Sequence, residues 1–446
     1  MLEFEHTQLK LSQIAQQVLN KALDFGATDA KLEINESIET GVDILNGKIE
    51  NFETSYSSSI SLTTYIKEHH ATVSLSNINQ HNIDNAILKA IELANHTEVD
   101  PFNKLPDREL LIKDITQDLG LFNPVVISNQ ELINCAIELE QLGLKCHNMV
   151  DKSDGASIAI GKYNFILANT NGLNQGYQTT RYNKSLSLIG HNNNEMQTEY
   201  SSSSARDFND LLNNQLLANQ ASLRTYRRLN KGTKIKSGKY PVIFEQRIAQ
   251  SLIGSLIGLI SGNNIYRKLS FLHDKLDQQI LPSWFCLHED PFVYKGIASS
   301  YFDAEGVQVS SSSIIHDGYI DHILLDSYYA RKLGLKSTGN AGGAHNLFVK
   351  ANFNGDIHQL AKNITNGLVV IETIGHGLNI TTGDYSVGAS GLLIENGEIT
   401  YFVDNLTISG NLHDMYKNIQ LISNDWILNS AIQCGSILID NVNIAS

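Results

Sequence analysis

The sequence predicts an α+β fold in which an antiparallel sheet carries helices on one side. Near the N-terminus a helical pattern is followed by several strand patterns and then by a second helix, an order typical of such layered domains. A similar order recurs loosely before residue 225, and the second half is rich in Gly and in strand patterns. Because 446 residues suffice for two or three domains, we predict an N-terminal α+β domain over 1–225 and a strand-rich domain over 226–446.

The first elements follow from local spacing. Apolar residues recur every three or four positions from residue 11, and Gly26 stands where a C-terminal helix cap would lie. The alternating stretch that follows contains Asn46-Gly47, the pair preferred by a tight type I′ hairpin turn. A second helix is predicted from Ile83 to Ala94, again from apolar residues at helical spacing.

The next elements repeat this order and end at a basic segment. Ser128 and Glu131 have the spacing of a capping box before an apolar helix, and a further Asn-Gly pair, Asn171-Gly172, lies between two strand patterns. The basic stretch from Leu223 to Tyr240 fits either a patch that binds an anion or nucleic acid, or a helix end that runs into a solvated linker. We favour the linker and place the domain boundary there.

Composition excludes some classes of function. The formal net charge of -14 argues against non-specific binding to nucleic acid or to an anionic membrane surface. The four cysteines are scattered and form no CxxC pair, and the N-terminus lacks the basic and apolar regions of a signal peptide. These features predict a cytoplasmic protein with reduced thiols.

The most apolar run, "RIAQSLIGSLIGLISG" from Arg247 to Gly262, falls short of the roughly 20 apolar residues of a membrane span. It is therefore predicted to be a buried helix. Its glycines, Gly254 and Gly258, are four residues apart, a spacing that suits close packing against a neighbouring element.

No complete catalytic motif is present in the sequence. Phosphate-loop, dinucleotide-binding and serine-hydrolase patterns each lack a required residue. The His-Glu dipeptide His288-Glu289 has Phe292 where a zinc-binding H-E-x-x-H helix needs its second histidine. His345 and His376 lie in glycine-rich loops, where either a functional role or a hydrogen-bonded turn would explain them.

Several segments of the second half resemble a known family. They are "GNNIYRKLSF", "FDAEGV", "DGYI", "YYARKLGLKSTGNAGGAHN", "TTGDYSVGASGLLIENGEI" and "LTISGNLHDMYKNI", in that order. They resemble the PmbA (TldE) branch of the TldD/PmbA metallopeptidase family. The resemblance covers essentially the whole chain and is most specific between about Gly262 and Ile419.

The resemblance implies a two-domain subunit whose C-terminal domain is barrel-like and which pairs with another subunit around an internal cavity. In the TldD branch a helix carries H-E-x-x-x-H and holds a metal ion together with a cysteine. The PmbA-type chain assembles with TldD into a heterodimer that degrades unfolded peptides and removes leader peptides from modified peptides.

The metal motif of the TldD branch would fall within about Leu252 to Ile257, where this chain has "LIGSLI". None of these side chains can bind zinc or activate water, and Cys434 lies too close to the C-terminus to match the metal-binding cysteine. The resemblance therefore implies a chain with no catalytic residues and no cofactor of its own, with zinc in a TldD-type partner. A homodimer stays open for the chain alone.

Two glycine-rich loops, 339–346 and 375–384, are predicted to line the cavity or the subunit contact and to hold extended peptide, although glycines needed only for tight turns would also explain them. The predicted contact residues are Gly339, Asn340, Gly342, Gly343, His345, Asn346, Gly375, His376, Gly377, Thr382, Gly383, Asp384 and Ser390, and Asp303 and Glu305 form a candidate polar cluster. Two alternatives remain: an active hydrolase that gathers Asp303, Glu305, His345 and His376, and a homodimeric peptide-binding scaffold without a protease partner.

Overall fold

The structure is a computed structural model that describes residues 3–192, 195–232 and 235–446. Its first half contains one six-stranded antiparallel sheet in the order β3-β2-β1-β4-β5-β6. The strands are β1 (Asp29–Leu45), β2 (Lys48–Ile66), β3 (His69–Leu75), β4 (Lys152–Asn169), β5 (Asn174–Asn192) and β6 (Glu195–Ala205). The predicted α+β class with an antiparallel sheet is confirmed.

The hairpins form where the backbone can turn left-handed. Asn46 and Gly47 have φ values of 54° and 72°, as a type I′ turn requires, so that the predicted tight hairpin joins β1 to β2. The loop between β4 and β5 spans residues 170–173 and is wider. Within it Gly172 takes the positive φ, at 105°.

Helices cover one face of this sheet. They are α1 (Gln8–Asp24), α2 (Gln80–Ala94), α3 (Asn129–Lys145) and α4 (Asn214–Leu229), with short 3₁₀ turns at Arg108–Leu110 and Phe208–Asp210. The capping box predicted at Ser128 and Glu131 is present at the start of α3. Residues in β1 alternate in burial, and Ala30, Leu32 and Ile34 pack beneath α1 and α2.

The opposite face of the sheet is polar and largely uncovered, and we call it the hydroxyl face. Cross-strand hydroxyl groups pair on it, with Ser37 and Ser57 2.8 Å apart and Thr63 and Thr72 2.8 Å apart. At one end Phe302 of the second half packs against this sheet. At these positions the face presents hydroxyl groups, which both donate and accept hydrogen bonds.

The boundary predicted between residues 225 and 226 lies inside α4, which continues to Leu229. The predicted basic linker begins within that helix, and its residues Thr233 and Lys234 lie outside the described residues.

The second half contains two sheets. Its strands are β7 (Gly238–Phe244), β8 (Leu287–Asp290), β9 (Ser312–His316), β10 (Tyr319–Ile320), β11 (Asn346–Val349), β12 (Asn366–Ile374), β13 (Asp384–Glu395), β14 (Glu398–Asn411), β15 (Ile419–Ile422), β16 (Ile432–Gln433) and β17 (Ile437–Ala445). Strands β7, β12, β13, β14 and β17 close into a ring because β14 pairs with both β13 and β17. The predicted barrel-like domain is confirmed. The other sheet has the order β10-β9-β8-β11-β16.

The helices of this half are α5 (Gln246–Leu259), α6 (Gly262–Tyr266), α7 (Ser327–Leu333), α8 (Ile357–Ala361) and α9 (Leu412–Lys417). The apolar run forms α5, a helix that packs on the barrel through Leu252, Ile253 and Leu256, as predicted. Among the described residues, the helices are too short or too polar to cross a bilayer.

The predicted close packing at the two glycines of α5 is wrong within this chain. A Cβ placed on Gly254 would lie 3.8 Å from Ile432, an ordinary contact, and one placed on Gly258 would meet no described atom within 4 Å. The apolar side chains of α5 point into the core on the other side, so the glycines lie on the more open face of the helix.

Candidate functional site

The glycine-rich loop 339–346 is organised by a buried carboxylate that the sequence did not reveal. Glu289 on β8 is 2% exposed, and its Oε1 accepts hydrogen bonds from the His345 amide (2.6 Å), the His345 Nδ1 (2.9 Å) and the Asn340 side-chain amide (2.9 Å). Burial opposes the ionisation of Glu289, but these hydrogen bonds outweigh it and lower the pKa of the carboxyl group. His345 therefore has a buried structural partner.

Asp303 and Glu305, the predicted polar cluster, lie beside the same loop. The Asp303 carboxylate accepts the amides of Glu305 and Val307, both at 2.9 Å, and that of Ala341 at 3.1 Å. Its burial raises the pKa of Asp303 to about 6. Glu305 accepts the amide of Ser327 at 2.9 Å. Both carboxylates thus hold backbone segments in place.

The remaining loop residues have local roles as well. Gly339, Gly342 and Gly343 adopt positive φ values of 76°, 92° and 122°, which favour glycine. The Asn346 side chain donates to the carbonyl of Asp290 at 2.9 Å and to the hydroxyl of Ser299 at 2.8 Å.

The second glycine-rich loop, 375–384, runs from the end of β12 to the first residue of β13 and is mostly exposed. Gly375 has a positive φ of 91°, and a Cβ on Gly377 would collide with the carbonyl of Ser386. The Thr382 hydroxyl donates to Asp384 at 2.7 Å, and Gly383 beside them has a positive φ of 79°. His376 is exposed here, on a different loop from His345. A role of either loop in peptide or subunit contact stays a prediction.

A cavity of about 620 Å³ lies between the two halves of the chain. Its walls come from β6, α4, the first turns of α5 and the segment 426–431, which leads into β16. β6 is the last strand of the N-terminal sheet, so the cavity lies at that edge, and the segment 426–431 lines the cavity just before β16, the last strand of the other sheet. Its residues are far apart in sequence. Arg224 is the lining residue that lies in the basic stretch 223–240, for which the sequence analysis considered an anion-binding role.

Ion pairs beside the cavity join the two halves of the chain. Arg228 of α4 bonds Glu199 of β6 at 3.2 Å and Glu372 of β12 at 2.8 Å. Arg247 of α5 bonds Glu199 at 3.4 Å and Glu245 at 2.8 Å. These pairs tie the start of α5 to the N-terminal sheet.

Ser390, the last predicted contact residue, belongs to this network rather than to the loop 375–384. It is buried and donates to Glu372 at 2.6 Å. Burial opposes the ionisation of Glu372, but the bonds from Ser390 and Arg228 outweigh it and lower the pKa of that carboxyl group.

The donors around α5 do not fit a zinc ion. Leu252, Ile253 and Leu256 of the window 252–257 are buried in the apolar core. Cys434 is fully buried, and burial raises the pKa of its thiol, which disfavours the thiolate that metals bind. Within the described part of the chain, two groups have ligand atoms close enough to share an ion, namely Cys286 with His316 and Asp317, and Glu5 with His6 and Glu36. Neither group lies on α5.

Three sequence models of the PmbA/TldA metallopeptidases match this chain: domain 1 over residues 30–94, the central domain over 122–229 and the C-terminal domain over 237–446. The chain belongs to the PmbA/TldD metallopeptidase family.

Individual relatives agree with this assignment. The chain is 37% identical over 435 residues to the metalloprotease PmbA of Escherichia coli O157:H7, with 97% of this chain and 96% of the relative covered. This similarity confirms the resemblance to the PmbA branch.

Solved structures show the same fold. A candidate modulator of DNA gyrase from Bacteroides thetaiotaomicron VPI-5482 superposes with a TM-score of 0.92 at 24% identity, covering 97% of this chain and 98% of the other. TldE from Thermococcus kodakarensis superposes with a TM-score of 0.86 at 18% identity, covering 97% and 100%.

Proposed function

We propose that this chain is the PmbA-type subunit of a TldD/PmbA metallopeptidase that degrades unfolded peptides and processes leader peptides, and that it shapes the peptide cavity without binding the metal itself. The observation that carries the proposal is the composition of α5. By its resemblance to the family, this helix occupies the position at which the TldD branch has H-E-x-x-x-H, but residues 252–257 of this chain are "LIGSLI". Zinc and the water-activating glutamate would then belong to a TldD-type partner.

The cavity beside α5 supports a role in peptide binding. It is lined by residues of β6, the edge strand of the N-terminal sheet, and by the segment 426–431 that precedes β16. An extended peptide adds to such an edge through main-chain hydrogen bonds, which demand little of the peptide sequence. Unfolded peptides of varied sequence are the substrates suited to this mode.

The rim of the cavity supports contact with a partner subunit. Tyr200, Trp426 and Leu428 line the cavity and expose 51%, 40% and 69% of their surfaces. Neighbouring exposed apolar side chains of this size mark interaction surfaces. A TldD-type subunit is the partner we propose, with a homodimer as the assembly of the isolated chain.

We also place the complex in the cytoplasm. Cys135, Cys146, Cys286 and Cys434 are all free thiols in the structure. Free thiols persist in reducing compartments, which is the reason for this choice.

The test combines metal analysis with peptidase assays. The purified chain is expected to contain no stoichiometric zinc and to leave an unfolded peptide intact, whereas a mixture with its TldD-type partner cleaves the peptide. A mixture in which the partner's metal-motif glutamate is replaced by glutamine serves as the control and is expected to be inactive. One zinc per isolated chain, or cleavage by the isolated chain, would overturn the proposal, and the latter would support the hydrolase alternative.

A further inference from the structure

Two arginines of the cavity between the two halves form no ion pair with a carboxylate among the described residues. Arg181 of β5 and Arg224 of α4 both line it. Arg224 donates one hydrogen bond to the carbonyl of Tyr200 at 3.1 Å, and Arg181 has no hydrogen bond or ion pair to the described residues. This is unusual in a chain with 47 acidic and 33 basic residues.

The acidic groups nearby are already engaged. Asp210 lines the cavity but bonds Lys295 at 3.0 Å. Glu199 and Glu245 are bonded to Arg247, the third arginine of the lining. Among the described residues, neither Arg181 nor Arg224 is therefore bonded to a carboxylate. Glu245 and Glu199 still act on Arg224 through their charge, but burial outweighs them and lowers the pKa of its guanidinium group.

A further arginine strengthens the positive field. Arg206 adjoins Arg181 and donates to backbone carbonyls, those of Ile297 at 2.9 Å and Thr180 at 3.2 Å, with no carboxylate partner among the described residues. Burial, followed by the charge of Arg181, lowers the pKa of Arg206. The charge of an arginine that is shielded from water in this way is stabilised most when an anion binds beside it.

The remaining wall suits a peptide. The Nε2 of Gln250 is buried and has no hydrogen-bond partner among the described residues, so that it is available as a donor. Tyr200 and Trp426 supply aromatic surface, and Ser202 supplies a hydroxyl group. The volume of about 620 Å³ falls in the range of roughly 300–1,000 Å³ that is common for ligand sites.

We propose that this cavity binds a carboxylate group of an extended peptide, with Arg181 and Arg224 as its cationic anchors. Guanidinium groups bind carboxylates through charge-assisted and often bidentate hydrogen bonds, which fix orientation as well as affinity. The carboxylate comes either from the peptide C-terminus or from an acidic side chain. The proposal rests on the proposed function for the kind of ligand, but the binding needs neither a partner subunit nor cleavage.

The test is calorimetric titration of the purified chain with four N-acetylated tetrapeptides. One pair is tetra-alanine with a free or an amidated C-terminus, and the other is an amidated tetrapeptide with one internal glutamate or glutamine. At least one charged peptide is expected to bind about tenfold to a hundredfold more tightly than its neutral twin, since a hydrogen bond to a charged group contributes about 1.5–3 kcal/mol. The pair that shows the difference identifies the source of the carboxylate.

Three variants make the test specific. Arg181→Gln and Arg224→Gln are each expected to weaken binding of the charged peptide by about tenfold or more. Arg267→Gln, at an exposed arginine outside the cavity lining, is the matched control and is expected to leave it unchanged. Arg224→Lys keeps the positive charge and, if the loss at Arg224→Gln is electrostatic, retains part of the affinity.

Equal affinity for charged and neutral peptides, no binding at millimolar peptide, or unchanged binding in both glutamine variants would overturn the proposal. These failures are separable from failure of the proposed function. If the chain binds no carboxylate but its mixture with a TldD-type subunit still cleaves peptide, only the anchor assignment falls. If the chain binds the charged peptide and the mixture cleaves nothing, the anchor stands and the subunit role falls.

Discussion

Replacing Glu289 tests whether one buried carboxylate holds the loop 339–346. Glu289→Gln keeps an oxygen that accepts hydrogen bonds but removes the charge, and Glu289→Met removes the acceptor with little change in volume. The three donors to this carboxylate are the His345 amide, the His345 ring and the Asn340 side chain, at 2.6–2.9 Å. The two variants therefore separate loss of charge from loss of all three bonds.

The magnitude follows from the number of bonds. A hydrogen bond to a charged group contributes about 1.5–3 kcal/mol and a neutral one about 0.5–1.5, so three bonds weaken by about 3 kcal/mol in Glu289→Gln. Removing a charge from a residue that is 2% exposed returns part of its desolvation cost, which leaves a net loss of about 2 kcal/mol. Glu289→Met leaves His345 and Asn340 unsatisfied, and we expect a loss of about 4 kcal/mol.

Hydrogen exchange followed by mass spectrometry measures this loss locally. In the range where exchange reports opening equilibria, 2 kcal/mol corresponds to roughly thirtyfold faster exchange of the amides in 339–346. The peptide that covers Asp384–Glu395 of β13 serves as the internal reference. Glu398→Gln, at an exposed glutamate, is the matched control and is expected to leave exchange of the loop unchanged.

The exchange rate of the loop in Glu289→Met decides the outcome. If loop exchange in Glu289→Met is no faster than in the native chain, Glu289 does not hold the loop, and the argument from its three hydrogen bonds fails. If exchange rises equally in the loop and in β13, the variant destabilises the whole domain rather than this contact.

Three further predictions concern pH, the core and the contact between the halves. The folded pKa of Asp303 is about 6 and its usual value is 3.8, so the folded state holds this proton more tightly. The contribution of Asp303 to the unfolding free energy therefore falls by about 1.4 kcal/mol between pH 5 and pH 7. Urea titrations of Asp303→Asn should lack this fall, and a pH dependence equal to that of the native chain would contradict the prediction. In α5, Leu256→Ala should lower the unfolding free energy by about 2–5 kcal/mol, measured by calorimetry, because it empties part of the core. Gly258→Ala should raise it by up to about 1 kcal/mol, because the new methyl group meets no described atom within 4 Å. A Gly258→Ala variant less stable than the native chain would contradict the open face. Arg228→Met removes the ion pairs to Glu199 and Glu372 and should lower the unfolding free energy by roughly 2 kcal/mol in guanidinium titrations. An unchanged unfolding free energy would show that these ion pairs contribute nothing to stability.

Local chemistry made the elements predictable. Asn46-Gly47 specifies its turn because both residues tolerate positive φ, and Ser128 with Glu131 specifies a helix start because both bonds form within four residues. The burial of α5 followed from its apolar spacing. The packing of Gly254 and Gly258 did not, since glycine spacing shows that a neighbour can approach but not that one does.

The site was less predictable because its contacts are long-range. Glu289 was considered only as part of an incomplete zinc motif, and its partner His345 lies 56 residues further along the chain. The cavity brings together Arg181, Arg224 and Trp426 from three distant segments. Such a grouping depends on how two sheets meet, which periodicity within one segment does not determine.

The hydroxyl face has a consequence for any chain that passes across it. The hydroxyl group of a serine or threonine rotates and serves as donor or acceptor, so Ser37, Ser57 and Thr63 can each exchange a neighbouring hydroxyl for water or for a passing main-chain group. Each exchange replaces one hydrogen bond by another of similar strength and changes the free energy little. The paired hydroxyl groups therefore favour no particular side chain, whereas Arg181, which lies in register with Glu39 on the same face, favours a carboxylate. A polypeptide that crossed this face would be selected at Arg181 and not at the paired hydroxyl groups.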